Sequence, residues 1–213
     1  GTSHIARQSL EEVKAHIEKE KPDIIAVELD EKRLNALMNK TQKKIELRSI
    51  RQIGLKGFIF FLLGAWAEKK LGKLVGVAPG SEMKQAVMIA KKEKIEIALI
   101  DQDIEVTLKR LSSHIKWKEK FNFLADLIKA VFSRKSNMEF DLTKVPDKKI
   151  IKKLMCKLKE RYPNLYKVLI EERNSVIAGN IQRLMNSNPD KKILVILGAG
   201  HIDEVMKTFS KPI

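Results

Sequence analysis

The feature that most constrains the fold is the stretch Lys-Ile-Leu-Val-Ile-Leu at residues 192–197, which leads into Gly198-Ala199-Gly200-His201. Five branched apolar residues in a row predict a strand that is buried on both faces, as in a sheet covered by helices. The glycines after it allow a sharp turn. This turn would bring His201 to the carboxyl edge of the sheet, where open α/β folds bind their ligands.

A second Gly-x-x-His turn stands at the start of the chain, from Gly1 to His4, and a predicted helix follows it as well. Two more apolar stretches, residues 24–30 and 95–101, end in acidic residues and lead into helical patterns. The recurrence of strand, acidic turn and helix predicts βαβ units with right-handed crossovers. We therefore expect an α/β fold, with a mostly parallel central sheet flanked by helices.

The helical patterns divide the chain into a core and two insertions. A capping box at Ser9 predicts a helix to about residue 19, and caps at Asp30 and Ser81 predict two more. Further helices are predicted for residues 104–112, 147–161 and 164–186 and for a closing segment that contains Val205. We expect one domain over residues 1–213, with helical insertions at about 42–74 and 113–163, cut from a longer protein.

Composition limits the classes of partner. The formal charge of +15 favours contact with phosphate, acidic lipid or acidic peptide. Because the lysines are spread singly or in pairs along the helices, they are typical of a solvated face, and nucleic acid is not expected. The apolar run at residues 57–67 is too short for a bilayer, which needs about 20 residues, and a buried helix is favoured over an interfacial one. The single cysteine excludes an intrachain disulfide, and a homo-oligomer is neither required nor excluded.

Side chains that can bind a metal ion or transfer a proton follow the predicted strands. If the strands are parallel, one edge of the sheet carries His4, Glu28, Asp30, Asp101, Asp103 and His201. Two imidazoles and several carboxylates suit a divalent metal ion, or a metal-free site in which a histidine acts as general base beside a carboxylate. The spacing matches no known zinc signature. Asp30 and Asp103 are also expected to cap the helices that follow them.

Two glutamates are predicted to be buried. Glu28 lies inside an apolar strand and so needs a cation, a metal ion or a raised pKa. Glu172 falls on the apolar stripe of the helix predicted at 164–186. Its candidate partners are Arg33, Arg110 and Arg173. Such a pair either fixes the helix against the sheet or leaves an arginine to polarise a substrate carbonyl or to hold a substrate carboxylate.

Six motifs in this order resemble the TraB/PrgY pheromone-shutdown family, which is related to the Tiki and GumN proteins and more distantly to the erythromycin esterase and ChaN group. They are Gly1-Thr2-Ser3-His4; Val27-Glu28-Leu29-Asp30 with Arg33; Pro79-Gly80-Ser81-Glu82-Met83; Asp101-Gln102-Asp103-Ile104 with Val106-Thr107-Leu108-Lys109-Arg110; Glu172-Arg173-Asn174; and Gly198-Ala199-Gly200-His201. The sequence departs from the family twice: the strand that usually precedes the first motif is missing, and Gln102 stands where an arginine is common.

The resemblance implies a metal-dependent hydrolase, in Tiki proteins a protease that cuts peptides near their amino end. By that resemblance the metal ligands would be His4, Glu28 and His201, and the ion Mn, Co, Zn or Fe. The catalytic and supporting residues would be Glu28, Arg33, Arg110, Glu172 and Arg173.

An alternative of another class is a module that binds a peptide or small ligand and regulates without cutting, because no residue is an indispensable nucleophile. Prokaryotic relatives often continue into membrane helices. The resemblance therefore implies a membrane-associated protein whose anchor lies in C-terminal segments beyond this chain, with this basic domain on the cytoplasmic side.

Overall fold

The structure is a computed structural model that describes residues 7–39, 80–119, 121–122, 125–126 and 148–210. The predictions for His4 and its turn, for the insertion at 42–74 and for the apolar run at 57–67 lie outside these residues. The insertion at 113–163 is described in part.

Three parallel strands form the sheet: β1 (Ile24–Val27), β2 (Glu96–Leu99) and β3 (Ile193–Ile196). Their order is β2-β1-β3, and the register places Ile25 beside Ile97 on one side and Leu194 on the other. Parallel neighbours that are distant in sequence require crossover connections, which the helices supply. The α/β prediction is thus confirmed.

The centre of the sheet is β1 and not the last strand. All four residues of β1 are fully buried, whereas Ile196 is the one buried residue of β3 and the other three are partly exposed. The last strand packs on both faces of the sheet as predicted, with Leu194 in one core cluster and Ile193 and Val195 in the other, but its first three residues are only partly buried. Among the described strands, β3 has a neighbour on one side alone, and an unbroken apolar run does not distinguish a central strand from an edge strand.

Helices pack on both faces of the sheet. The described helices are α1 (Arg7–Glu20), α2 (Glu31–Met38), α3 (Ser81–Glu93), α4 (Ile104–His114), α5 (Lys148–Arg161), α6 (Pro163–Tyr166), α7 (Arg173–Ser187) and α8 (Ala199–Phe209), of which α1 and α3 cover one face and α7 and α8 the other. Side chains alternate along a strand, so Ile25 and Val27 pack against α1 and α3, while Ala26 packs against α7 and α8. The result is three layers with β1 in the middle.

Two predicted helix caps are displaced. Ser9 lies inside α1 and is fully buried, because the helix already begins at Arg7. Gly80 takes the cap position of α3 with φ of 76°, a left-handed conformation that glycine adopts without strain, and Ser81 is the first helical residue. Asp30 and Asp103 cap α2 and α4 as predicted.

The helix predicted at 164–186 is continuous but not uniform. A π-helical segment, Lys167–Glu172, lies between α6 and α7 and ends at the residue before Arg173. Such wide turns are rare in proteins, and those that occur often lie at functional sites. Each one shifts the register of the helix that follows. Within the part of the chain that the structure describes, no helix is long and apolar enough to cross a bilayer.

Candidate functional site

Three strand ends meet at the carboxyl edge of the sheet. Glu28 directly follows β1, Asp101 follows β2 after one residue, and His201 lies in the first turn of α8 after β3. All three side chains are buried. The structure therefore brings together the acidic and imidazole groups that the parallel arrangement predicts, and it adds a guanidinium that lies among them.

Arg173, the first residue of α7, is the centre of this cluster. Its Nη2 donates to Glu28 Oε1 at 2.6 Å and to Asp101 Oδ2 at 2.5 Å, and its Nε donates to Asp101 Oδ1 at 3.1 Å. Its Nη1 contacts the Leu169 carbonyl and His201 Nε2, both at 3.3 Å. A guanidinium has five N–H donors, and these five acceptors use all of them. Arg173 is therefore saturated and has no donor left for a substrate.

Glu28 has a hydrogen-bond donor on each oxygen. Besides Arg173 on Oε1, the backbone N–H of Gly198 donates to Oε2 at 2.6 Å. His201 Nε2 lies 3.4 Å from Oε1. Of the three solutions that the sequence left open for a buried Glu28, the structure provides a cation, Arg173.

The glycines of the last Gly-x-x-His turn do not serve as the sequence suggested. Gly198 has φ of −60°, which any residue adopts, and Gly80 is the one glycine with positive φ among the described residues. A Cβ at Gly200 would lie 3.3 Å from the terminal methyl of Met155. Gly200 therefore permits close packing of α8 on α5, and Gly198 contributes its N–H to Glu28.

Asn174 fixes the orientation of His201. Its Oδ1 lies 2.6 Å from His201 Nδ1. A carbonyl oxygen accepts, so this contact assigns the imidazole proton to Nδ1 and leaves the lone pair of Nε2 toward Arg173 and Glu28. No role for Asn174 is predicted from the sequence, although its place beside Arg173 in a motif is a usable signal. Adjacent residues of α7 thus hold both the carboxylate and the imidazole.

A second arginine extends the cluster to the surface. Arg33 Nε donates to Asp30 Oδ2 at 2.5 Å, and its Nη2 donates to Asp101 Oδ2 at 2.5 Å and to the Gln102 carbonyl at 3.2 Å. Its Nη1 has no acceptor among the described residues, and 30% of the side chain is exposed. Arg33 is therefore the arginine of this network with free donors.

Arg110 and Glu172 form a separate pair. Arg110 Nε and Nη2 bind the two oxygens of Glu172 at 3.0 and 2.6 Å, and this hydrogen bonding lowers the pKa of Glu172. The two side chains are 43% and 20% exposed, so the predicted burial of Glu172 is wrong. The π-helical segment shifts the register: the buried residues of α7 are Asn174, Ile177, Ala178 and Ile181, not the predicted stripe through Val176 and Gly179. Within the described part of the chain, this pair shares no hydrogen bond with the Arg173 cluster.

Acid should weaken the fold through Asp101. Burial opposes its ionisation, but Arg173 and Arg33 outweigh burial and lower the pKa of Asp101 below its ordinary value of 3.8. Between these two pKa values the unfolded chain binds the proton and the folded chain does not, so the stabilisation is complete above pH 3.8 and is lost as the pH falls through the folded pKa.

The measurement is urea unfolding of the wild type and of Asp101→Asn between neutral pH and about pH 2.5. We expect the stability difference between the two proteins to be largest at neutral pH and to narrow in acid. A difference that stays constant down to the lowest pH would contradict the claim that Asp101 is ionised in the folded protein.

The described donors do not fit a divalent ion as they are arranged. Both oxygens of Glu28 and both ring nitrogens of His201 already have protein contacts, and the cation Arg173 contacts both residues. Among the described ranges, no three histidine, cysteine or acidic side chains are grouped as a metal site. His4, the third ligand that the resemblance implies, lies outside those ranges.

The fold and this edge define a class: an α/β domain with a buried carboxylate, imidazole and guanidinium cluster at the carboxyl ends of parallel strands. Within that class, the chain belongs to the TraB/PrgY/gumN family, whose profile matches residues 1–206. The resemblance seen in the six motifs is thus confirmed.

Relatives of the chain extend beyond the region that it covers. It is 38% identical over 215 residues to an uncharacterised protein of Methanocaldococcus jannaschii, covering 99% of this chain and 52% of that protein. It is 23% and 22% identical over 240 residues to TraB domain-containing proteins of Mus musculus and Homo sapiens, covering 99% of this chain and 61% of each. The chain thus spans between one half and two thirds of these relatives.

Proposed function

We propose that this domain is a hydrolase that cleaves amide bonds of peptides, with His201 as general base toward water. The observation that carries the proposal is the imidazole itself: Asn174 holds Nδ1 at 2.6 Å, so that the basic Nε2 is directed toward a buried carboxylate. A base that is oriented by a second group and lies beside an anion is the arrangement that acid-base catalysis requires.

Each neighbour of His201 has a distinct part in this proposal. Glu28 lies 3.4 Å from Nε2 and stabilises the imidazolium that forms when His201 takes a proton from water. The contact between Arg173 Nη1 and His201 Nε2, at 3.3 Å, is long for a hydrogen bond, so a water molecule can replace it at low cost. Asn174 is a positioning residue that keeps the imidazole in the productive tautomer.

The developing oxyanion needs a donor that is not already used. Arg173 is saturated, which argues against the role of substrate contact for that residue. Arg33 has an Nη1 group without an acceptor in the described part of the chain, and it is connected to the site through Asp101. We assign to Arg33 the contact with the substrate carbonyl or with a substrate carboxylate. Arg110 and Glu172 remain predicted supporting residues, and the structure places them in their own pair.

The family resemblance adds a divalent ion held by His4, Glu28 and His201. Since the described donors do not fit an ion as arranged, no step of the proposed reaction passes through one. The experiment treats the ion as a variable instead.

A mixture of synthetic peptides in H₂¹⁸O should yield fragments that carry ¹⁸O in the new carboxyl group, as detected by mass spectrometry. Parallel reactions contain EDTA, or Mn, Zn, Co or Fe. His201→Ala should abolish the products, because it removes the base. His16→Ala is the matched control, since His16 is exposed on α1, and it should retain full activity. Equal product formation by wild type and His201→Ala would contradict the proposal.

One observation favours the alternative of a non-catalytic binding module. The cluster is closed: His201 is 5% exposed and every N–H of Arg173 is used within the protein. A binder would protect the domain against thermal unfolding by a peptide that is recovered with unchanged mass. A hydrolase would return the same peptide in two pieces.

A further inference from the structure

We infer that the guanidinium of Arg173 is the resident cation of this site, and that a divalent ion can bind Glu28 and His201 only by displacing it. The inference concerns ion binding by the same residues and does not depend on whether they catalyse hydrolysis.

The geometry of the two ligand atoms is the first step. Glu28 Oε1 and His201 Nε2 are 3.4 Å apart. Zinc binds carboxylate oxygen and imidazole nitrogen at about 2.0–2.2 Å, which puts two such ligands roughly 3–3.5 Å from each other. The pair therefore has the spacing of two ligands of one ion. Yet Arg173 already contacts both atoms, through Nη2 at 2.6 Å and Nη1 at 3.3 Å.

Asn174 orients the imidazole of His201 in the way that metal-binding histidines are oriented. Histidine ligands usually bond a second group through the nitrogen that is not coordinated, which fixes the ring. His201 has this second bond, from Nδ1 to Asn174. The ring is therefore oriented as a ligand would be, with Nε2 directed toward Arg173. In this structure the cation at Nε2 is Arg173.

Charge is the second step. The connected network contains two guanidinium groups, of Arg33 and Arg173, and the carboxylates of Asp30, Glu28 and Asp101. Counted over the described residues, its formal charge is one negative with a neutral His201. A divalent ion beside Arg173 would be repelled at short range. Without Arg173 these described groups would have two negative charges, which is the charge that a divalent ion neutralises.

Anchoring is the third step. Two hydrogen bonds to the fully buried side chain of Asp101 and one to the Leu169 carbonyl hold Arg173, of which 13% is exposed. Displacement of the guanidinium would break these bonds as well as those to Glu28 and His201. We therefore expect weak binding of divalent ions by the wild-type domain.

Calorimetric titration with Mn²⁺ tests the inference. Arg173→Met should bind Mn²⁺ at least about tenfold more tightly than the wild type, since the variant removes the competing charge and its contacts with both ligand atoms. The gain should disappear in Arg173→Met, His201→Ala. The matched control is Arg161→Met, which removes the same charge from an exposed pair with Asp126, and its affinity should equal that of the wild type. Weaker or unchanged affinity in folded Arg173→Met would overturn the inference.

A measurement on the wild type covers the case in which Arg173→Met does not fold. The Nε–H of Arg173, bonded to Asp101, gives a ¹⁵N–¹H signal that is identified by its absence in Arg173→Lys. Titration with Zn²⁺ should leave this signal in place until the ion binds, and binding should remove or strongly shift it. Stoichiometric Zn²⁺ binding, lost in His201→Ala, with the Arg173 signal unmoved would show that the ion and Arg173 do not compete.

Discussion

Arg173→Met is expected to lower the free energy of unfolding by about 3–5 kcal/mol, the usual cost of breaking a buried ion pair by removing one partner. The substitution leaves the carboxylates of Glu28 and Asp101 without their main cation, and their side chains are 3% and 0% exposed. Burial alone disfavours both charges. For a chain of this length, a loss of that size lowers the melting temperature by roughly 10 °C.

The matched control for this prediction is Arg161→Met. Arg161 also makes a bidentate contact with a carboxylate, that of Asp126, but 47% of its side chain is exposed. Exposed ion pairs contribute little, because water and salt screen them, so the melting temperature should barely change. Urea unfolding or calorimetry of both variants makes the comparison. Similar losses in the two variants would mean that burial of the cluster is not what makes Arg173 important.

A double variant separates the lost charge from the lost packing. Asp101→Asn added to Arg173→Met removes a buried carboxylate that would otherwise stay without its cation. The two substitutions should therefore cost less together than the sum of their separate costs. Simple additivity would show that Asp101 and Arg173 do not act on each other and would contradict the contacts at 2.5 and 3.1 Å.

The parts of this site that the sequence predicts are those encoded locally. Branched apolar runs define the strands, and an acidic residue directly after a strand lies at its carboxyl end whatever the rest of the chain does. The caps at Asp30 and Asp103 are local for the same reason, since each binds backbone N–H groups within three residues. These features alone place Glu28, Asp101 and His201 at one edge.

The pairing of charges is not local and was not predictable to the same degree. Glu28 and Arg173 are 145 residues apart, no particular cation was predicted for Glu28, and three arginines were equally suitable partners for Glu172. The π-helical segment decided the outcome, because it changes the register at which Glu172 and Arg173 enter α7. No apolar pattern marks such a segment in advance. Asn174 was missed for the related reason that its role exists only once α8 is packed beside α7.

Strand order is the other non-local property. Three apolar runs of similar length and composition gave no reason to place residues 24–27 in the centre. Once β1 lies between the other two, however, its residues have partners on both sides and helices on both faces. Isoleucines that pair with each other on neighbouring strands should therefore contribute different amounts to the free energy of unfolding.

Ile25→Ala should cost about 3–4 kcal/mol of unfolding free energy, within the range for isoleucine deletions in well-packed cores, because Ile25 is fully buried between α1 and α3. Ile97→Ala is the same substitution at the paired position of β2, where the side chain is partly exposed, and should cost about half as much. Urea unfolding of both variants at one pH measures the difference. Equal costs would show that β2 is as central as β1 and would contradict the claim that Glu28 follows the most buried strand of the sheet.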